Sequence, residues 1–166
     1  MTSPIKALAL LFWAVLLSAC TIQLVPSYDQ ALVEGLDKTN QEALTLFAAV
    51  EGGSPKEKFG EYEENYAAVI GGFDALRQRA VSRQIPPLAA RISKLSIVRQ
   101  VCDSKNDPAG CLNVSPASLD RVLQVLRQMR DLHRSSGLND DLIRPFRRDY
   151  QTAMGQVLTI ENALKR

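Results

Sequence analysis

Apolar residues recur along this chain in alternating steps of three and four, over stretches long enough to define helices. Between Phe59 and Ala80 they fall at Phe59, Tyr62, Tyr66, Val69, Phe73, Leu76 and Ala80. The same rhythm returns as Leu32, Leu36, Thr39, Ala43, Leu46 and Val50, as Leu119, Val122, Leu126 and Met129, and as Phe146, Tyr150, Ala153, Val157, Ile160 and Leu164. Such steps average 3.5 residues and keep one seam of a helix facing its neighbours. No segment carries the sustained period-two alternation of a strand. Short connections between striped helices make neighbours antiparallel. The pattern therefore predicts an all-α fold, an antiparallel up-and-down helical bundle of four to five helices.

Polar and breaking residues set the expected boundaries. Ser27-Tyr28-Asp29-Gln30 and Ser54-Pro55-Lys56-Glu57 fit the capping box, in which a serine and a Gln or Glu three positions on satisfy each other's free amides. They predict the starts of helices 1 and 2, with Gly52-Gly53 ending the first. Ile85-Pro86-Pro87 breaks the chain, and helix 3 is expected from about Pro87 to Val101. Ser115-Pro116 opens helix 4, Gly137 closes it, and Asn139-Asp140-Asp141 opens helix 5. Pro145 is expected to kink helix 5 or delay its start. Gly71 and Gly72 each cost about 1 kcal/mol relative to alanine within helix 2, which points to close packing against a neighbour.

The first twenty residues carry an address. Lys6 is followed by an apolar run from Ala7 to Leu17 and then Ser18-Ala19, the layout of a secretory signal. A helix needs about 20 apolar residues to cross a bilayer, so this shorter run reads as a removable signal and not as a transmembrane anchor. Leu17-Ser18-Ala19-Cys20 resembles the lipobox of bacterial lipoproteins, where the signal peptide is cut just before a cysteine that carries lipid. The resemblance implies a signal peptide at 1–19, a lipidated tether at 20–26 and a single helical-bundle domain at 27–166. Thr21 stands where inner-membrane lipoproteins typically have aspartate. The implied location is therefore the outer membrane, lipid-anchored through Cys20 on the periplasmic side.

If Cys20 carries lipid, Cys102 and Cys111 remain as a pair, and exported proteins tend to pair their thiols. A disulfide between them is expected to staple the turn from helix 3 to helix 4, worth roughly 2.5–3 kcal/mol for so short a loop. The lone His133 continues the helix 4 stripe near its C-terminus, where a cation suits the helix dipole, and is read as structural. One histidine cannot complete a di-iron bundle. No serine nucleophile elbow, zinc-binding histidine pair or phosphate-binding glycine loop occurs. Glu57, Glu61, Glu63 and Glu64 read as a solvated face. The expectation is a protein without catalytic residues, metal or cofactor, hence not an enzyme.

Net charge is +2, which does not point to nucleic acid, but its distribution is uneven. Residues 28–74 hold ten acidic and three basic residues, whereas 75–166 hold eight acidic and sixteen basic ones. The tether from Thr21 to Pro26 reaches roughly 20 Å at most. Five alternating helices would then place the turns at 85–87 and 136–139 near the membrane, and those at 52–54 and 102–115 far from it. Arg77, Arg79, Arg83 and Arg91 flank the first near turn. Arg130, Arg134, Arg144, Arg147 and Arg148 flank the second. Glu51, Glu57, Glu61, Glu63, Glu64, Asp103 and Asp107 would gather at the far end. Arg144, Arg147 and Arg148, at a helix start where positive charge is disfavoured, are the leading candidates to contact anionic lipid headgroups or another anionic envelope polymer.

These readings converge on a non-enzymatic cell-envelope lipoprotein, a scaffold or accessory module for an unidentified envelope protein. Two alternatives stand beside it. One is an inhibitor or immunity lipoprotein capping a basic toxin or cell-wall hydrolase. The other is a carrier of an apolar ligand between its helices.

Overall fold

Each apolar stripe forms the inward face of a helix. The computed structural model describes residues 23–95, 98 and 112–165. Its helices are α1 (Gln30–Ala49), α2 (Phe59–Val81), α3 (Pro87–Ile92), α4 (Ser115–Ser136) and α5 (Asp140–Ala163), with a single 3-10 turn at Lys56–Lys58. α1 packs on α2 and α5, and α4 on the same two, so the four long helices close a ring.

Side-chain pairs fix the directions. Glu63 meets Arg134 and Arg77 meets Asp120, so α2 and α4 are antiparallel. Glu51 meets Arg147 while Glu161, at the other end of α5, meets Arg83, beyond the end of α2. The result is an up-down-up-down bundle, as the stripes predict. Leu36, Phe47, Tyr66, Phe73, Leu126, Met129 and Tyr150 are fully buried in one core. At mid-height Tyr150 packs on Phe47 and Phe73, with ring centroids 5.2 and 6.2 Å away, and its hydroxyl donates to Asn40 Oδ1 at 2.7 Å. An aromatic core residue whose polar tip is satisfied in this way fixes packing and register together.

Among the described residues, four helices span the bundle. Asn113 Nδ2 donates to the Ala80 carbonyl at 2.8 Å, so the chain leaves α2 and enters α4 at the same end. A fifth spanning helix would put these two at opposite ends. α3 makes no extended contact with the long helices. The rest of the predicted helix 3, apart from residues 93–95 and 98, lies outside the described residues. So do the signal segment, Cys20, Cys102, Asp103, Asp107 and Cys111.

Several boundaries differ from the expectation for local reasons. α1 is capped by Asp29, which accepts from the Leu32 amide at 3.1 Å, and not by Ser27. Ser54 caps nothing, because its backbone is bonded to Leu138 in an isolated β-bridge, and no side chain caps α2. α5 starts at once behind its Asn139 cap, so Pro145 does not delay it. The carbonyl deprived of a partner there is that of Asp141, an exposed residue. Gly72 does serve close packing, since a Cβ there would lie 2.9 Å from Thr39 Cγ2, but Gly71 faces open space. In the last turn of α5 it is Glu161, one position past Ile160, that turns fully inward. A straight helix drifts about 20° per heptad from a 3.5-residue stripe.

Candidate functional site

The bundle has two dissimilar ends. The base gathers residues 23–29, the end of α2, residues 82–95 and 112–114, and the end of α5. Here Arg79 grips Asp29 at 2.6 and 2.9 Å, and this bonding holds the Asp29 carboxyl below the usual carboxylate range. Arg83 donates to both oxygens of Glu161, at 2.9 and 2.7 Å, and to Asn113 Oδ1 at 3.1 Å. Ser115 Oγ donates to Glu161 as well. The Arg83 and Glu161 side chains are 8% and 0% exposed, and Arg83 Nε has no partner. This buried polar knot ties α2, α4 and α5 to the start of the connection.

The outer surface of the same end is apolar. Of the seven large apolar side chains exposed among the described residues, Leu24, Val25, Val81, Leu88, Leu95 and Val114 belong to the base, and only Leu142 to the opposite end. Arg91, Lys94 and Lys165 are exposed there too, with no ion-pair partner among the described residues.

At the far end the two turns are stitched together. Ser54 and Leu138 exchange backbone hydrogen bonds of 2.9 and 2.7 Å. Gly137 makes this possible: its φ is +80°, and a Cβ would lie 2.8 Å from the Lys56 nitrogen. Beneath the bridge, His133 is fully buried against Phe59, Tyr62 and Tyr66, and its Nδ1 lies 3.2 Å from the Tyr66 hydroxyl. Burial holds the imidazole below its usual pKa range. The Pro55 carbonyl pulls the other way, but Nε2 closes no hydrogen bond. Where the sequence predicts a cation on the helix dipole, His133 is instead a buried core residue whose imidazole burial favours in the neutral form. Arg134 covers the cluster, 4.8 Å above the Phe59 ring.

The orientation expected for the arginines is corrected by this topology. Arg130, Arg134, Arg144, Arg147 and Arg148 occupy the end away from residues 23–29, together with Glu51, Glu57, Glu61, Glu63 and Glu64, which they were expected to oppose. Arg134 pairs with Glu63 at 2.9 Å and Arg147 with Glu51 at 3.1 Å. Arg144 pairs with Asp140 and Asp141, which offset its charge in the first turn of α5. Arg130 and Arg148 pair with their sequence neighbours Asp131 and Asp149. Arg79–Asp29, Arg127–Asp74, Arg134–Glu63 and Arg147–Glu51 join the acidic first part of the chain to the basic second part, the remaining pairs lie within the second part, and the charges form no end-to-end dipole. The turn flanked by Arg77, Arg79, Arg83 and Arg91 lies at the end where it was expected, as does the 52–54 turn at the other end.

Two open grooves run along the sides. One, of about 440 Å³ between α4 and α5, is lined by Arg121, Gln124, Gln128, Asp149, Thr152 and Gln156. The other, of about 540 Å³ between α1 and α2, is lined chiefly by Lys38, Gln41, Glu42, Thr45 and Asn65. Among the described residues no three His, Cys, Asp or Glu side chains gather as a metal site, and no helix is long and apolar enough to cross a membrane. Glu57, Glu61, Glu63 and Glu64 are exposed. The Arg83–Glu161 knot escaped the sequence reading. Its one signal was a glutamate adjoining the inward stripe of α5.

The chain belongs to the family described as a protein of unknown function (DUF3053), whose model matches residues 8–166. No curated protein and no solved structure matches it.

Proposed function

We propose that this protein is a non-enzymatic cell-envelope lipoprotein, a helical scaffold or accessory binding module held at the outer membrane by lipid on Cys20 and facing the periplasm. The observation that carries this reading is Leu17-Ser18-Ala19-Cys20 closing an apolar run. The family match takes in most of that run and Cys20. Three residue steps separate Cys20 from Gln23, a reach of roughly 10 Å. The anchor therefore joins the base of the bundle. Helices of this length extend about 30 Å, so the arginine- and glutamate-rich far end projects away from the attachment point. An envelope protein partner meets the module there or along its polar sides.

Mass analysis of the N-terminal peptide from the membrane-extracted protein tests this. The expected peptide begins at Cys20 and carries acyl chains, and Cys20→Ser abolishes both cleavage and acylation. An unmodified Cys20 overturns the reading.

A further inference from the structure

We infer that the base of the bundle is a membrane-contact face, on which exposed apolar side chains enter the headgroup region of an anionic bilayer while Arg91, Lys94 and Lys165 meet its phosphates. This deepens the anchored-module reading and rests on it for the protein's presence at a membrane, but it concerns a surface that acts without the lipid.

Three observations support the assignment. The first is segregation: among the described residues, all but one of the large exposed apolar side chains lie at one end, on four separate segments of chain. Scattered surface leucines and valines are ordinary, whereas apolar side chains concentrated in one region mark an interaction site. Val81 closes α2, Val114 precedes α4, Leu88 and Leu95 sit on and just after α3, and Leu24 and Val25 begin the described chain.

The second is charge. Two carboxylates at the base are engaged, Asp29 by Arg79 and Glu161 by Arg83. Among the described residues Arg91 and Lys94 are exposed with no ion-pair partner, and they lie between Leu88 and Leu95 on one short stretch. Apolar side chains interleaved with Lys and Arg suit an interface with anionic headgroups, because the apolar groups leave water while the cations stay at the phosphate level. A protein partner would have to present an apolar, acidic surface to match.

The third is position. Leu24 and Val25 stand four and five residues after Cys20. An anchor so short holds whichever surface surrounds it against the lipid. A water-exposed apolar base in that place would be desolvated by the bilayer without any rearrangement of the bundle.

The experiment uses a polypeptide of residues 20–166 carrying Cys20→Ser. Every residue of the packed core lies between Leu32 and Val157, so this chain keeps the fold. Its flotation is measured with vesicles of phosphatidylcholine alone and of equimolar phosphatidylcholine and phosphatidylglycerol. Binding is expected only to the anionic vesicles. It should fall at least tenfold with Leu88→Asp and Leu95→Asp together, and again with Arg91→Glu and Lys94→Glu, while Arg144→Glu with Arg148→Glu leaves it unchanged. Thermal melting checks that each variant remains folded. The inference is overturned by no binding, by binding that survives the basal changes, or by loss through the far-end pair. It is equally overturned by sedimentation showing a dimer that the basal changes dissociate, since a second copy would then cover the face. Acylation of Cys20 is read separately, so failure of the anchor and failure of the face are distinguishable.

Discussion

Arg83 and Glu161 meet through two parallel hydrogen bonds of 2.9 and 2.7 Å, with both side chains almost wholly withdrawn from water. Removing one member of such a pair strands the other charge in the interior, at a cost of about 3–5 kcal/mol, whereas replacing both by apolar groups is often far milder. Glu161→Ala is therefore expected to lower unfolding stability by about 3–5 kcal/mol, and Arg83→Met with Glu161→Leu to recover much of that loss. Urea titration measures both. Small, equal losses would contradict a buried pair.

Acid is expected to weaken the far end through His133. Burial holds its folded pKa below the ordinary value, so between roughly pH 6.5 and the folded value the unfolded chain binds a proton that the native state refuses. Stability is present above that window and drops as pH falls through it, at a limiting slope of about 1.4 kcal/mol per pH unit. The depressed carboxyl of Asp29 acts in the same direction, but only below about pH 4. His133→Phe should flatten the dependence that sets in below about pH 6.5, measured by denaturant midpoints, and leave the carboxylate limb below about pH 4 intact.

Alkali has the opposite sign. Burial holds the phenols of Tyr66 and Tyr150 protonated well above the usual range. Above about pH 10 the unfolded chain releases protons that the native state keeps, so stability falls as pH rises. Phenolate absorbance from these two residues is expected to appear only as helical circular dichroism is lost.

Adjacent glycines should respond in opposite ways. At Gly71 a methyl group meets nothing within 4 Å, and Gly71→Ala is expected to stabilise by about 0.5–1 kcal/mol through helix propensity. At Gly72 it would press on Thr39, a buried β-branched residue of α1 with little freedom to move. Gly72→Ala is expected to be about 1–3 kcal/mol less stable than Gly71→Ala. Thermal melting of the two variants decides.

The inward faces were legible because burial imposes a period that residue identity must obey: Leu32 through Val50 and Phe59 through Ala80 read directly as core. Gly137 and Asn139 were legible as well, since a positive φ and an N-cap leave local marks. Asp29 prevails over Ser27 as a cap while its carboxylate also holds Arg79, fifty residues away, and no local pattern carries that information. Helix direction failed for a related reason. Whether the chain between Val81 and Ser115 crosses the bundle or returns to the same end depends on the meeting of Ala80, Arg83 and Asn113, which only the folded chain displays. That single return moved Arg144, Arg147 and Arg148 from the tethered end to the far one.

The polarity of the bundle relative to lipid is the central claim. A photoreactive amino acid placed at position 88 or position 142 of the full-length, membrane-assembled protein tests it most directly. Both positions are exposed leucines, one at each end. Irradiation is expected to yield phospholipid adducts from position 88 and essentially none from position 142. Adducts from position 142 that equal or exceed those from position 88 would contradict the account.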